Sequence, residues 1–101
     1  MLSSFEDISN TISENKNVVV NFTAPSWCAP CRALKPQFWA AVDEASDDVL
    51  FIEVDIDLTD DETKKIYQIQ SVPTVMQFVD GEFWKYIKSR KTTEILEEIT
   101  Y

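Results

Sequence analysis

Residues 18–31 read VVVNFTAPSWCAPC and are expected to join a strand to a helix that opens on two cysteines. The run VVVNF at residues 18–22 is apolar and mostly β-branched, as expected of a central strand that is buried on both faces. The residues after it form a turn. Pro30 favours a helix start there, because in the first turn of a helix its missing N–H would have no partner. The sequence therefore predicts a strand, a turn and a helix that begins around Cys28 and Cys31.

The C-x-x-C spacing of the two cysteines predicts disulfide-exchange chemistry. Cys28 would lie at the helix N terminus, where unpaired N–H groups and the helix dipole stabilise an anion and so lower the pKa of the thiol. The thiolate is the nucleophile of disulfide exchange. Cys31 lies one helical turn further on and can attack the mixed disulfide that Cys28 forms. We therefore predict that Cys28 is the attacking, partly exposed thiol and that Cys31 is the more buried, resolving one.

Two other roles for the cysteine pair are a structural disulfide and a zinc site. A disulfide that closes so short a loop removes little entropy from the unfolded chain, so it would stabilise the fold only weakly. Zinc prefers four ligands, and two cysteines without any histidine provide half of them. Only a dimer that shares four thiolates, or additional carboxylates, would complete such a site. We expect neither a bound metal nor a cofactor.

The composition is that of one ordinary globular domain, which we assign to residues 1–101. The chain is 45% hydrophobic and 27% charged, as such domains normally are. Its net charge of −9 disfavours binding to nucleic acids and to anionic membranes. No apolar run reaches the ~18 residues that cross a bilayer, and the N terminus lacks the basic and apolar regions of a secretory signal. We therefore expect a cytoplasmic protein, and a monomer.

Two residue types that many active sites need are scarce. The chain has no histidine, which excludes histidine general bases, Ser-His and Cys-His pairs and histidine metal ligands. It has one glycine, Gly81, whereas the phosphate-binding loops of nucleotide enzymes need several. The cysteine pair is the catalytic group that remains.

Three further helices and three further strands are predicted around this unit. Ser4 and Thr92 are expected to cap helices, and a short helix is expected to begin at Thr59, with acidic residues in its first turn. Apolar runs place the strands at residues 49–56, 72–79 and 82–87. The sequence Asp80-Gly81 predicts a hairpin between the last two strands. We therefore expect an α/β fold, with a parallel core from the two strand–helix–strand units and an antiparallel edge from the hairpin.

The chain resembles the thioredoxin family. The motifs follow the order and spacing of the family and cover nearly the whole chain: VNFTA at 20–24, WCAPC at 27–31, Pro36, VDID at 54–57, SVPT at 71–74 and DGE at 80–82. The resemblance implies the thioredoxin fold, a central mixed β-sheet flanked by helices on both faces, and dithiol–disulfide oxidoreductase activity without a cofactor. Only about four residues precede the first helix, so we expect four strands, with the family's first edge strand short or missing.

The resemblance also implies a substrate site around a proline. In this family the corresponding proline follows a cis peptide bond and lies beside the nucleophile, which gives Pro73 a place in the catalytic site. The backbone of Val72 would then pair with an extended substrate. An ordinary trans proline that opens an edge strand is the alternative. The expected groove residues are Trp27, Ala29, Pro30, Val72 and Ser89, although Trp27 could instead pack in the core.

Two positions expected to handle protons depart from the family pattern. The family usually has a buried aspartate, thought to move the proton of the resolving cysteine, where this chain has Asn21, and an amide cannot titrate. A lysine often found near that aspartate corresponds here to Glu53. Glu53 could accept the proton in place of the aspartate. The alternative, which the sequence favours, is a solvated carboxylate on the polar side of its strand.

Other departures lie around the expected groove. The segment between Phe22 and Cys28 is one residue longer than is usual in the family, with Pro25-Ser26 before the tryptophan. Ala29 replaces a common glycine, and bulkier residues, Lys88–Arg90, occupy a region where a glycine is expected. A divergent, viral origin with action in a host cytosol is one interpretation of these losses.

Four of the nine basic residues fall close together in the sequence: Lys85, Lys88, Arg90 and Lys91. In the family fold the loop that leads to the last helix borders the groove. These residues could therefore form a basic edge beside the thiols that steers acidic partners. A solvated charged face is the alternative interpretation.

The predicted function is the reduction of protein disulfides through the Cys28–Cys31 dithiol by mixed-disulfide exchange. Its partners would be disulfide-containing proteins and an electron donor of the thioredoxin-reductase type. One alternative is an accessory binding subunit of another enzyme, for which redox activity would be secondary. Another is a dimer that holds a metal ion or a cluster through its thiolates.

Overall fold

A computed structural model describes residues 4–101 of the chain. In this range the chain forms four helices and four strands. The helices are α1 (Phe5–Glu14), α2 (Ala29–Glu44), α3 (Asp61–Ile66) and α4 (Thr92–Glu98), and the strands are β1 (Asn17–Thr23), β2 (Leu50–Asp55), β3 (Thr74–Val79) and β4 (Glu82–Ile87). The predicted order of elements is confirmed. The expectation that the family's first strand is short or missing concerns the residues before Ser4, and these lie outside the described part of the chain.

The four strands form one mixed sheet in the order β2-β1-β3-β4. Strand β1 runs parallel to β2 and antiparallel to β3. The predicted parallel packing of the second strand–helix–strand unit is therefore wrong. Helix α3 has six residues, a length of about 9 Å. It is too short to carry the chain back along a strand of about 20 Å, so β3 starts at the end of the sheet where β2 finishes.

The two faces of the sheet bury separate apolar clusters, because side chains alternate along each strand. On one face Val19 and Phe51 pack with Phe38 of α2 and with Ile95 of α4. The opposite face packs against α1 through a second cluster that contains Ile8, Ile12, Val18, Val20 and Phe22. Strand β1 is buried over its whole length, as the apolar run in the sequence predicts. The strand that leads to the cysteines is thus fixed from both sides.

Helix starts differ slightly from the predicted positions. Ser4 caps α1 as expected, its hydroxyl oxygen accepting from the backbone N–H of Asp7. Helix α3 begins at Asp61 rather than at Thr59, and Asp60 is its N-cap, its carboxylate accepting from the backbone N–H of Thr63. Helix α4 begins at Thr92 instead of being capped by it. The hydroxyl of Thr92 is used elsewhere, in a contact with α2.

The hairpin between β3 and β4 has the predicted turn. Asp80 and Gly81 both have positive φ, 53° and 85°, as two-residue hairpin turns of this hand require. Glycine adopts this backbone conformation without the steric cost that a Cβ would bring. The only glycine of the chain therefore lies where the hairpin turns.

The helix that carries the cysteines is anchored by Phe38, and we expect Phe38→Ala to lower the free energy of unfolding by about 3–5 kcal/mol. The ring is fully buried and packs edge-on against Phe51. Urea denaturation measures the change. Asp43→Ala, an exposed change on the same helix, is the control and should shift stability by less than about 0.5 kcal/mol. Equal effects of the two changes would contradict this packing.

Candidate functional site

Cys28 lies at the N terminus of α2, just beyond the end of β1. It is the N-cap residue of the helix, and its sulfur lies 3.2 Å from the backbone nitrogen of Cys31, whose N–H points to it. A turn delivers the residue to this position, since the backbone N–H of Cys28 donates to the carbonyl oxygen of Ala24. The helix N terminus thus presents a hydrogen-bond donor and the positive end of its dipole to this sulfur.

The two cysteines are joined in a disulfide in this structure. Cys28 keeps 5% of its surface exposed and Cys31 none. The relative burial agrees with the sequence prediction, although less of Cys28 is exposed than expected. Any attacking thiol therefore reaches the pair from the Cys28 side.

The segment before β3 closes the site on one side. The sulfur of Cys28 lies 3.6 Å from the carbonyl oxygen of Val72. The peptide bond between Val72 and Pro73 is cis, and Pro73 is buried. The structure thus brings Cys28, Val72 and Pro73 together.

Trp27 directly precedes Cys28, and 60% of its surface is exposed. The alternative that it packs in the core is therefore wrong. Its indole N–H donates to a carboxylate oxygen of Asp57 over 2.7 Å, and the hydroxyl of Ser26 donates to the same oxygen. Arg32 holds the extra residue of this loop by donating to the carbonyl oxygen of Pro25. These hydrogen bonds therefore hold the longer loop that leads to Cys28.

Ala29 and Pro30 lie between the cysteines, in the first turn of α2. Both are exposed, so a molecule that approaches Cys28 meets their surfaces. Val72 contacts the Cys28 sulfur, and Trp27, Ala29 and Pro30 adjoin Cys28 in the chain. Four of the five predicted groove residues therefore lie next to Cys28 in sequence or in space.

Asn21 is a buried polar residue on the face of the sheet that α2 covers. It alternates with Val20 and so points to the same side as Val19, which packs under α2. Its side chain is fully buried, and neither its oxygen nor its nitrogen has a hydrogen-bond partner. Such unpartnered buried groups are rare in folded proteins. The position therefore marks a polar site beneath the helix.

Glu53 faces Asn21 directly across the β1–β2 ladder. It is 7% exposed, and one carboxylate oxygen is buried without a partner. The other oxygen lies 3.7 Å from the ammonium group of Lys35 on α2. The preferred sequence interpretation, a solvated strand carboxylate, is therefore wrong. Glu53 points under α2 because it shares the face of Phe51, two residues earlier on the same strand.

Lys35 is a site residue that the sequence analysis does not identify. It lies four residues after Cys31 on α2, and residues four apart share one face of a helix. Its contact with Glu53 places that carboxylate under the helix face that also carries Cys31. The i, i+4 spacing from Cys31 is the signal in the sequence that could have identified it.

An open cleft of about 460 Å³ adjoins Pro73. Among the residues that line it are Lys88 and Arg90. A guanidinium nitrogen of Arg90 lies 3.4 Å from the carbonyl oxygen of Pro73. Ser89, the fifth predicted groove residue, does not line this cleft.

The loop that carries Arg90 is held at both ends. The carboxylate of Glu98 accepts from the backbone N–H groups of Lys88 and Ser89, over 3.2 and 2.7 Å. At the other end Thr92 donates its backbone N–H and its hydroxyl to Gln37 of α2. Burial raises the pKa of Glu98, but the hydrogen bonds from Ser89 and Lys88 outweigh it and hold the pKa below its ordinary value of 4.5.

Within residues 4–101 no three side chains of the histidine, cysteine, aspartate or glutamate type come together as a metal site. None of the helices in that range has the length and apolarity needed to cross a membrane.

Comparison with known proteins identifies relatives across most of the chain. A family model described as Thioredoxin matches residues 3–101. A thioredoxin of Mycoplasmoides gallisepticum is 41% identical over 76 residues, which are 75% of this chain and 73% of that protein. Protein disulfide isomerase-like 1-4 of Arabidopsis thaliana is 35% identical over 91 residues, 89% of this chain but only 15% of that protein.

The similarity extends to solved structures. The X-ray structure of Fasciola hepatica thioredoxin superposes with a TM-score of 0.82 and 32% sequence identity, covering 95% of this chain and 91% of that one. The mixed sheet flanked by helices is therefore a thioredoxin fold, as the sequence motifs imply.

We expect Glu98→Gln to loosen the loop that carries Arg90 and to lower stability by about 0.5–1 kcal/mol at neutral pH, since a half-exposed charged acceptor is lost. Because the pKa of Glu98 is lowered on folding, its contribution is complete above the ordinary value of 4.5 and disappears as pH falls through the lowered value. Urea denaturation at pH 7 and at pH 3 measures both effects. The exposed neighbour Glu97→Gln serves as control. A loss that is the same at both pH values would refute the assigned role of the carboxylate.

Proposed function

This chain belongs to the thioredoxin family and is a thiol–disulfide oxidoreductase; we propose that Cys28 is its attacking thiol and Cys31 its resolving thiol. The observation that carries the assignment is the position of the Cys28 sulfur as the N-cap of α2, with the backbone N–H of Cys31 pointing to it. A helix N terminus stabilises a thiolate, and the thiolate is the reactive form.

The reaction consists of two exchanges. The Cys28 thiolate attacks one sulfur of a substrate disulfide, the substrate S–S bond breaks, and the released substrate thiolate takes up a proton. Cys31 then loses its proton and attacks the Cys28 sulfur, which breaks the mixed disulfide and frees the second substrate thiol. Two electrons have passed from the dithiol to the substrate. The Cys28–Cys31 disulfide that remains is the form seen in this structure.

The second exchange needs a base for Cys31, and Glu53 is our candidate. Cys31 is fully buried, and burial in apolar surroundings disfavours a thiolate. Asn21 cannot accept the proton. Glu53 lies beside Asn21 on the face under α2, where its carboxylate contacts the ammonium group of Lys35.

The partners we propose are disulfide-containing proteins, with an electron donor of the thioredoxin-reductase type to restore the dithiol. The two cysteines of the active pair are the only ones in the chain, so its fold does not require an oxidising compartment, and we place its action in the cytoplasm. The alternative of an accessory binding subunit is not favoured, because both thiols of the exchange reaction are retained.

We expect Cys31→Ser to stop turnover and to accumulate a mixed disulfide between Cys28 and the substrate, because the resolving thiol is missing. Cys28→Ser should abolish reduction without forming the adduct. Mass spectrometry of the reaction with a disulfide peptide distinguishes the two variants. A mixed disulfide that forms on Cys31 in the Cys28→Ser variant, at the rate of the native protein, would reverse the assigned roles.

We expect Glu53→Gln to slow disulfide reduction at pH 7 by about 100-fold, the lower end of the usual contribution of a general base, while Cys28 alkylation stays nearly unchanged. The rate at which the native protein reduces disulfides should rise steeply between pH 7 and 9, because the second exchange needs the Cys31 thiolate and more of it forms as pH rises. Asn21→Asp should raise the rate at pH 7 because it adds a second base. Stopped-flow reduction of a peptide disulfide measures these rates.

Glu82→Gln, which changes an exposed strand glutamate, is the matched control and should leave the rate unaltered. If Glu53→Gln behaves like Glu82→Gln, the buried carboxylate is not the base. If Asn21→Asp leaves both the rate and its pH profile untouched, proton transfer through this position does not limit turnover.

A further inference from the structure

The cleft beside Pro73 is basic in a protein that is otherwise strongly acidic. We propose that Arg90, with Lys88, selects disulfide substrates that carry acidic residues next to the reacting cysteine. This inference rests on the proposed function, because it concerns the substrates of the same thiol. It assigns a role to the segment in which this chain carries bulkier residues in place of an expected family glycine.

Arg90 lies next to the point where the substrate must bind. Its guanidinium contacts the carbonyl oxygen of Pro73 over 3.4 Å. The Cys28 sulfur lies 3.6 Å from the carbonyl oxygen of Val72, the preceding residue. The cation and the sulfur thus contact consecutive peptide units. A substrate sulfur that reaches Cys28 therefore brings its neighbouring residues close to the guanidinium.

The guanidinium keeps most of its binding capacity. It has five N–H donors in a planar fork that matches a carboxylate, and the contact with Pro73 uses one nitrogen. Across residues 4–101 the ion pairs join Lys35 to Glu53 and Lys64 to Asp61. Among the described residues, neither Arg90 nor Lys88 forms an ion pair with a carboxylate.

The loop also presents Arg90 in a fixed position. Glu98 holds the backbone N–H groups of Lys88 and Ser89, and Gln37 holds the start of α4. An ordered loop loses less entropy on binding than a mobile one, so more of each contact contributes to affinity. The other two of the four basic residues do not line the cleft. Lys91 is the N-cap residue of α4, and Lys85 lies on β4.

The charges on the two sides of the cysteines differ. Beside Trp27 both signs are present, because the Asp57 carboxylate accepts from the indole N–H and the Arg32 guanidinium donates to the carbonyl oxygen of Pro25. On the Pro73 side the charged groups are Lys88 and Arg90. The net charge of −9 repels acidic molecules from the protein as a whole. A preference for acidic substrates would therefore originate in the local contacts of the cleft.

The test uses three synthetic peptides with one intramolecular disulfide, identical except for the residues that flank one cysteine: two glutamates, two glutamines or two lysines. The quantity measured is the second-order rate constant at which the fully reduced protein reduces each peptide at low ionic strength. We expect the glutamate peptide to react about three- to fivefold faster than the glutamine peptide, as exposed charge pairs allow. The lysine peptide should be slowest, and added salt should reduce the differences.

Arg90→Glu should reverse the order of the glutamate and lysine peptides, and Arg90→Gln should remove most of the preference. Lys16→Glu changes the net charge by the same amount. It lies just before β1, about 20 Å from the cysteine end of that strand. This control should slow the glutamate peptide only slightly and keep the order.

An order that Arg90→Glu does not change, or that Lys16→Glu changes equally, would overturn the proposal. Equal rates for the three peptides in the native protein would also overturn it. The glutamine peptide separates this failure from that of the proposed function. If the neutral peptide is reduced while no charge preference appears, the oxidoreductase assignment stands and the role of Arg90 falls.

Discussion

The hydrogen bond between the N terminus of α2 and the sulfur of Cys28 is the interaction on which the site depends. It requires a helix that starts at the cysteine and a strand that ends a few residues before it. Burial of β1 on both faces fixes the strand, and Phe38 anchors the helix to the same sheet. The apolar core thus determines where the sulfur lies, and the helix dipole determines its chemistry.

The polar pair beneath α2 shows what this arrangement costs. Asn21 and Glu53 interrupt an otherwise apolar face, and three of their polar atoms have no hydrogen-bond partner. Burying such groups is unfavourable, and the proposed role of Glu53 as a base would account for one of the two. Lys35 offsets part of the cost through its contact with Glu53. The ionisable residue of the pair lies on β2, opposite the amide of Asn21 on β1.

Much of the site follows from local sequence, and what does not follow depends on contacts across the fold. The strand, the turn and the helix at Cys28 are visible in residues 18–31, because burial and capping act over a few residues. The direction of β3 is not visible, since it depends on the length of α3. The burial of Glu53 was also missed, because strand alternation alone does not tell which face a helix covers. The contact between Arg90 and Pro73 is not visible in the sequence either, because it depends on how the loop before α4 packs in the fold.

The central claim is that α2 stabilises the thiolate of Cys28. The most direct measurement is a pH titration of the thiolate absorbance near 240 nm in the reduced Cys31→Ser variant, in which Cys28 is the single thiol. The account predicts a Cys28 pKa clearly below that of a free cysteine in an unstructured peptide. A Cys28 pKa equal to or above that of the peptide would contradict it.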